Sequence, residues 1–129
     1  MTRTKYPYLD SYNPPIPAVD VMLSNDEAGL RTGLMSALLD TGADGSLVPI
    51  RLLREVMAYP IAEAFLRSHW GEQRRVHLFR VDLQINDIIL PGVTVVGDDI
   101  GQEIVLGRDV LNRLKIFLNG PEGLSEVWE

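Results

Sequence analysis

"ALLDTGADGSLVP", residues 37–49, runs apolar through Leu38 and Leu39 and stops at an acid, Asp40. Small and polar residues fill 41–46 before Leu47, Val48 and Pro49 resume the apolar run. A carboxylate at the end of a core-directed strand is costly unless the site supplies donors or shares its charge. Taken alone, Asp-Thr-Gly also reads as an ordinary Asx-type turn closing a strand. Its context raises it. An apolar strand from Leu34 to Leu39 leads into the triad, and Ala43–Asp44, small and then acidic, follows it. Farther on comes "IVLGRDVL" (104–111), with Gly107 standing 67 residues after Asp40. Between the two stretches the pattern predicts a β-hairpin with a polar, glycine-containing tip.

Working outward, 129 residues make one domain, long enough to bury about two-thirds of its unfolded surface. Apolar residues make up 46% and charged residues 23%, ordinary values for a globular chain. The net charge is −6 and no basic run exceeds Arg74–Arg75, which argues against a nucleic-acid partner. With no cysteine, disulfides, thiolate catalysis and zinc–sulfur sites are all excluded. His69 and His77 are eight apart with no further ligand at helical spacing, so no transition-metal site is expected. No apolar stretch approaches the ~18 residues that a membrane helix needs, and MTRTKYPYLDSYNPP has no signal-like core. The expectation is a cytoplasmic protein that does not engage a membrane.

Residues 1–17 hold four of the eight prolines and three of the four tyrosines, which predicts an extended arm ahead of a domain spanning 18–129. Such an arm is either a disordered leader or a segment that packs on a neighbour. Residues 18–24 and 30–40 read as two strands of a hairpin turning at 25–29. Ile50, Leu53, Val56 and Met57 are spaced for a helix face, with Pro49 near its first turn. Pro60 interrupts that period, and "IAEAFL" reads either as another helical turn or as the start of a strand. From Val76 the period becomes two, through Phe79, Val81, Leu83 and Ile85. Asn86–Asp87 turns the chain into "IILPGVTVV" (88–96), with a bulge expected at Pro91–Gly92. After a loop at 97–102, residues 103–114 read as a strand that breaks at Gly107 and continues as a short helix. "KIFLN" and "SEVWE" close the chain as a last hairpin.

With these elements placed, the sequence resembles the retropepsin-like aspartic proteases. The resemblance is carried by Asp40-Thr41-Gly42-Ala43-Asp44 and Val105-Leu106-Gly107-Arg108-Asp109, and extends more loosely over residues 18–128. The layout "VHLFRVDLQINDIILPGVTVV…IVLGRDVLNRLKIFL" is most like the retropepsin domain of DNA-damage-inducible ubiquitin-shuttle proteins. It implies an all-β acid-protease barrel with one or two short helices and a single DTG lobe. By the same resemblance, a second subunit supplies the second Asp40 and the pair activates a water to hydrolyse a polypeptide substrate. No metal, nucleotide or organic cofactor is implied.

Further roles follow from the resemblance. Thr41 and Gly42 support the catalytic loop, and Ala43 and Asp44 bind substrate main chain. Gly107 and Arg108 brace the site. Arg108 is either a solvated helix-start residue or the partner of Asp44. At the hairpin tip, His69, Trp70 and Gly71 are candidate substrate contacts. There the chain departs from the glycine-rich retroviral pattern, since "LRSHWGEQRR" offers only Gly71. Trp70 reads either as an aromatic lid or as a subunit contact, and His69 more readily as a surface residue than a catalytic one. The same fold and dimer could also hold a peptide without cleaving it, as a non-catalytic binding module.

Overall fold

The computed structural model describes residues 2–68 and 70–129, so His69 lies outside the described residues. In chain order the elements are β1 (Arg3–Pro7), β2 (Ala18–Asn25), β3 (Leu30–Arg31), β4 (Met35–Leu39), β5 (Leu47–Pro49), α1 (Ile50–Glu55), β6 (Pro60–Arg67), β7 (Gln73–Ile85), β8 (Ile88–Asp98), β9 (Ile104–Leu106), α2 (Arg108–Leu111), β10 (Lys115–Asn119) and β11 (Leu124–Trp128). The main sheet runs β3-β2-β4-β9-β5-β8-β7-β6, and an extra β2–β7 pairing closes β2, β4, β9, β5, β8 and β7 into a barrel. Closure leaves no free edge among those six strands.

Alternation explains the barrel's inner face. Val19, Val21 and Leu23 of β2 are buried, as are Phe79, Val81, Leu83 and Ile85 of β7. Each such side chain contributes roughly 1.5–3 kcal/mol when fully withdrawn from water. β4 breaks the alternation, with Ala37, Leu38 and Leu39 all buried. It lies between β2 on one side and β9, in parallel, on the other, and its successive buried residues put apolar side chains on both faces.

Residues 30–40 are two strands and not one. Thr32, a buried polar residue, interrupts them: its Oγ1 accepts the Leu23 N–H at 3.0 Å and its own N–H donates to the Leu23 carbonyl at 2.8 Å. "IAEAFL" resolves as strand, within β6. β7 begins three residues before the period-two stretch. The bulge at Pro91–Gly92 is present: the register steps from Val81↔Val93 to Leu83↔Leu90, Gly92 adopts φ +63°, and its N–H donates to Asp82 Oδ1 at 2.8 Å. α1 starts immediately after Pro49 and buries Leu52 and Leu53. The Asn25 amide caps its end, donating to the carbonyls of Val56 and Met57 at 3.0 and 3.1 Å. α2 is shorter than expected, giving way to turns after Leu111.

The arm begins as a strand of the chain's own fold. Residues 3–7 form β1, which pairs with β11 of the same chain, and β10 flanks β11 on the other side. One face of this three-stranded terminal sheet carries Tyr6 and Val127 into the core. Burial, with the charges of Asp20 and Glu129, holds the Tyr6 phenol above its ordinary range.

Candidate active site

Asp40 follows the last residue of β4, where Leu39 pairs with Leu106 of β9 and the Asp40 N–H donates to the Leu106 carbonyl at 2.9 Å. The chain then folds back tightly, with the Ala43 N–H on the Asp40 carbonyl at 3.2 Å. Gly42 donates its N–H to Asp40 Oδ1 at 2.9 Å, and a Cβ there would stand 3.2 Å from that oxygen. Among the described residues no donor reaches the other carboxylate oxygen. The side chain of Asp40 is exposed. Burial therefore ends at Leu39, and the carboxylate stands in solvent in the single chain.

The second stretch braces this loop from below. Gly107 packs so closely that a Cβ on it would lie 2.3 Å from the Gly45 carbonyl oxygen and 2.8 Å from that of Ala43. Arg108 and Asp109 donate their N–H groups to the carbonyls of Ala43 and Asp44 at 2.9 and 3.2 Å. The Arg108 guanidinium reaches the Thr41 carbonyl with Nη1 at 2.7 Å and the Asp44 carboxylate with Nη2. Of the two readings of Arg108, the structure shows the pair with Asp44.

Ser46 is the residue that sequence reasoning missed. Its hydroxyl accepts the Gly107 N–H at 3.0 Å and donates to Asp109 Oδ1 at 2.8 Å, while its carbonyl accepts from the Val96 N–H at 2.9 Å. It is buried and ties three segments together. The available signal was a hydroxyl following the small-residue loop, paired with an acid directly after Arg108.

A cleft of about 820 Å³ opens beside the loop, lined by Gly42, Ala43, Asp44, Gly45 and Leu47 on one side. Phe65 through Ser68 and Glu72 through Arg74, from the β6–β7 hairpin, form the opposite wall. The hairpin tip is pinned by the Ser68 N–H on the Glu72 carbonyl at 2.8 Å, with Gly71 at φ +83°. Trp70 stands 89% exposed at that tip and, like Gly71, does not line the cleft. Asp40, Thr41, Gly42, Ala43, Asp44, Gly107 and Arg108 are thus brought into one cluster, with Trp70 and Gly71 apart from it. Away from the loop, the Tyr12 hydroxyl donates to Glu103, and that bond holds the phenol above its ordinary range. Among the described residues no group of three or more acids and histidines is placed to hold a metal ion.

By sequence, no family model and no curated protein matches the chain. Solved structures do. A retropepsin-like aspartic protease from Rickettsia conorii superposes with a TM-score of 0.66 at 10% identity, over 98% of this chain and 90% of that one. EIAV protease, solved with an inhibitor, gives a TM-score of 0.57 at 20% identity over 76% of this chain and 86% of the other. The retroviral protease-like domain of Ddi1 from Leishmania major gives 0.50 at 14% identity, over 82% and 84%. The chain has the retropepsin-like fold. In retropepsin-like terms, the all-β barrel with two short helices is the expected architecture, and the closed six-strand order is its core. No helix among the described residues is long and apolar enough to cross a membrane.

Proposed function

We propose that the chain is one subunit of a homodimeric aspartic endopeptidase, with Asp40 from each subunit forming the catalytic dyad. The observation that carries this reading is the setting of Asp40. One oxygen is fixed by the Gly42 N–H, no donor among the described residues reaches the other, and Gly42 through Gly45, directly after it in the loop, line the cleft. The chain has a single Asp-Thr-Gly, so a complete dyad needs a two-fold axis.

Two carboxylates about 3 Å apart cannot both be ionised, the known behaviour of aspartic-protease pairs, so they share one proton. The ionised Asp40 takes a proton from a water whose oxygen adds to the scissile carbonyl carbon. The protonated Asp40 of the partner subunit gives its proton to the carbonyl oxygen, forming a tetrahedral diol. The first Asp40 then gives the proton it took from water to the amide nitrogen, while the ionised Asp40 of the partner subunit takes one from a diol hydroxyl. The C–N bond breaks, an acid and an amine leave, and the dyad again holds one proton. No covalent enzyme intermediate arises and no metal or organic cofactor takes part. Backbone groups of the 42–45 loop and of the β6–β7 hairpin would hold the substrate as an added strand, with Ala43 and Asp44 on one side of it and Phe65 through Ser68 on the other.

A peptide-library cleavage assay read by mass spectrometry tests this. The wild-type chain should cut internal peptide bonds, and Asp40→Asn should abolish cutting without loss of fold, since the amide is nearly isosteric but cannot act as base. Binding of peptides without cleavage by the wild type would instead support a binding module. Residual cutting by Asp40→Asn beyond a trace would remove Asp40 from the mechanism.

A further inference from the structure

We propose that Arg74 takes a carboxylate side chain of the bound peptide, so that the cleft prefers Asp or Glu at one fixed position of its substrate. This rests on the peptidase reading above and names its substrate class. Arg74 lies on β7, in the hairpin wall of the cleft. It stands across from Leu66 of β6, and Val76, two residues along the same face, is buried. That face is the hairpin's inner one. Arg67 also lines the cleft, but it pairs with Gln73 on the outer face, which Phe65 and Arg75 share. The Arg74 guanidinium is held without being satisfied. Its side chain is 41% exposed, and Asp99 comes only to 3.6 Å from Nη2, an ion pair too long for a hydrogen bond. Among the described residues no acceptor takes a hydrogen bond from it, whereas Arg51 and Arg108 each donate to a carbonyl.

Asp99 is a counter-ion that yields cheaply. It is 73% exposed, and such pairs contribute little to stability. Nor does its loop depend on Arg74. Asp98 Oδ1 accepts the N–H groups of Ile100 and Gly101 at 3.0 and 2.9 Å, and the Gln102 carbonyl accepts from Arg51 Nη2 at 3.2 Å. A substrate carboxylate therefore displaces Asp99 without unfolding the loop. The planar fork of Arg74 can meet it with two parallel N–H···O bonds, where Asp99 accepts none. The cleft's own acids do not compete. Asp44 is bound to Arg108, and Glu72, exposed near the tip, makes no ion pair with Arg74 among the described residues.

The test uses a library of octapeptides in equal amounts, read by mass spectrometry in two ways. The wild type cuts it, and immobilised Asp40→Asn retains peptides from it; each further variant is made in both backgrounds. Glu at one position, preferred about tenfold over the isosteric Gln, is the expected result, the ratio that one charge-assisted contact gives. Arg74→Gln should bring that ratio close to unity, and Arg74→Glu should replace the preference with one for Lys or Arg. Arg75→Gln makes the same charge change on the outer face and should keep the preference for Glu. Asp99→Asn separates substrate reading from a simple brace between hairpin and loop. Removing the resident competitor should strengthen the preference, whereas loss of a brace would lower cutting of acidic and neutral peptides alike. That uniform loss, a preference that disappears in Arg67→Gln and survives in Arg74→Gln, or no preference at all among cut or retained peptides overturns the role of Arg74. Each of these leaves the peptidase reading standing as long as the wild type cuts. An Arg74-dependent preference among retained peptides, with no cutting by the wild type, does the reverse.

Discussion

Asp40 is held by groups that have little freedom of their own. Gly107 illustrates this, because its missing side chain lets two carbonyls of the 43–45 loop close over it. In Gly107→Ala the new methyl would overlap backbone oxygen, which cannot rotate away as a flexible side chain would. Overpacking of this kind costs about 1–3 kcal/mol. Its relief would push the loop off Asp40, so a lower melting temperature and lost hydrolysis are expected together. An unchanged thermal transition would show that the loop yields freely. Arg108 acts differently. Asp44 is 93% exposed and Arg108 44%, and exposed ion pairs contribute about 0–1 kcal/mol. The guanidinium nevertheless spans two acceptors at once, Thr41 and Asp44, which a lysine's point charge cannot do. Arg108→Lys should therefore lower kcat/KM while barely moving the melting temperature. Asp44→Asn should reproduce part of the kinetic defect. The double variant should lose less than the sum, because the second change removes a contact already gone. Additive losses in that cycle would mean that the pair does not position the loop.

Elements with one wet and one dry face were readable from the chain. β2 and β7 alternate as half-buried strands do, and Pro91–Gly92 announced its bulge. β6 was ambiguous because it is largely exposed on both faces, so no hydrophobic period marks it. The split at Thr32 depends on a hydroxyl meeting a neighbouring strand, and Ser46 on contacts with residues 61 and 63 positions away. Local pattern carries no trace of the first, and for the second only a hydroxyl after the small-residue loop. The arm is the largest such case, since Arg3 pairs with Trp128 across nearly the whole chain. Asp40 and Arg108, by contrast, stood out through motif. The arm's pairing changes what a C-terminal truncation does. β11 is the middle strand of the terminal sheet, with Ser125, Glu126 and Val127 buried. Ending the chain after Gly120 strips β1 and β10 of their shared partner and opens the core beneath Tyr6. The truncated protein should aggregate and lose a cooperative unfolding transition. A folded, soluble product, seen by light scattering and circular dichroism, would mean that the barrel stands without that sheet.

At the scale of the whole molecule, the proposed dyad, assembled from two chains, would make activity a property of pairs. Asp40 of one subunit has no shared proton without Asp40 of the other, so a dimer holding one Asp40→Asn subunit lacks either its base or its acid. Wild type and Asp40→Asn should exchange subunits freely, because the substitution is isosteric and lies on an exposed loop. Once an equal amount of Asp40→Asn is mixed with a fixed amount of wild type, random pairing about a two-fold axis leaves about half of the original activity. Further additions should drive it toward zero in proportion to the wild-type fraction. The decline should develop at the rate of subunit exchange and be complete when the mixture is first unfolded and refolded together. An enzyme acting through one chain alone would keep its full activity at every ratio. That result would remove the dimeric dyad even if Asp40→Asn by itself were inactive.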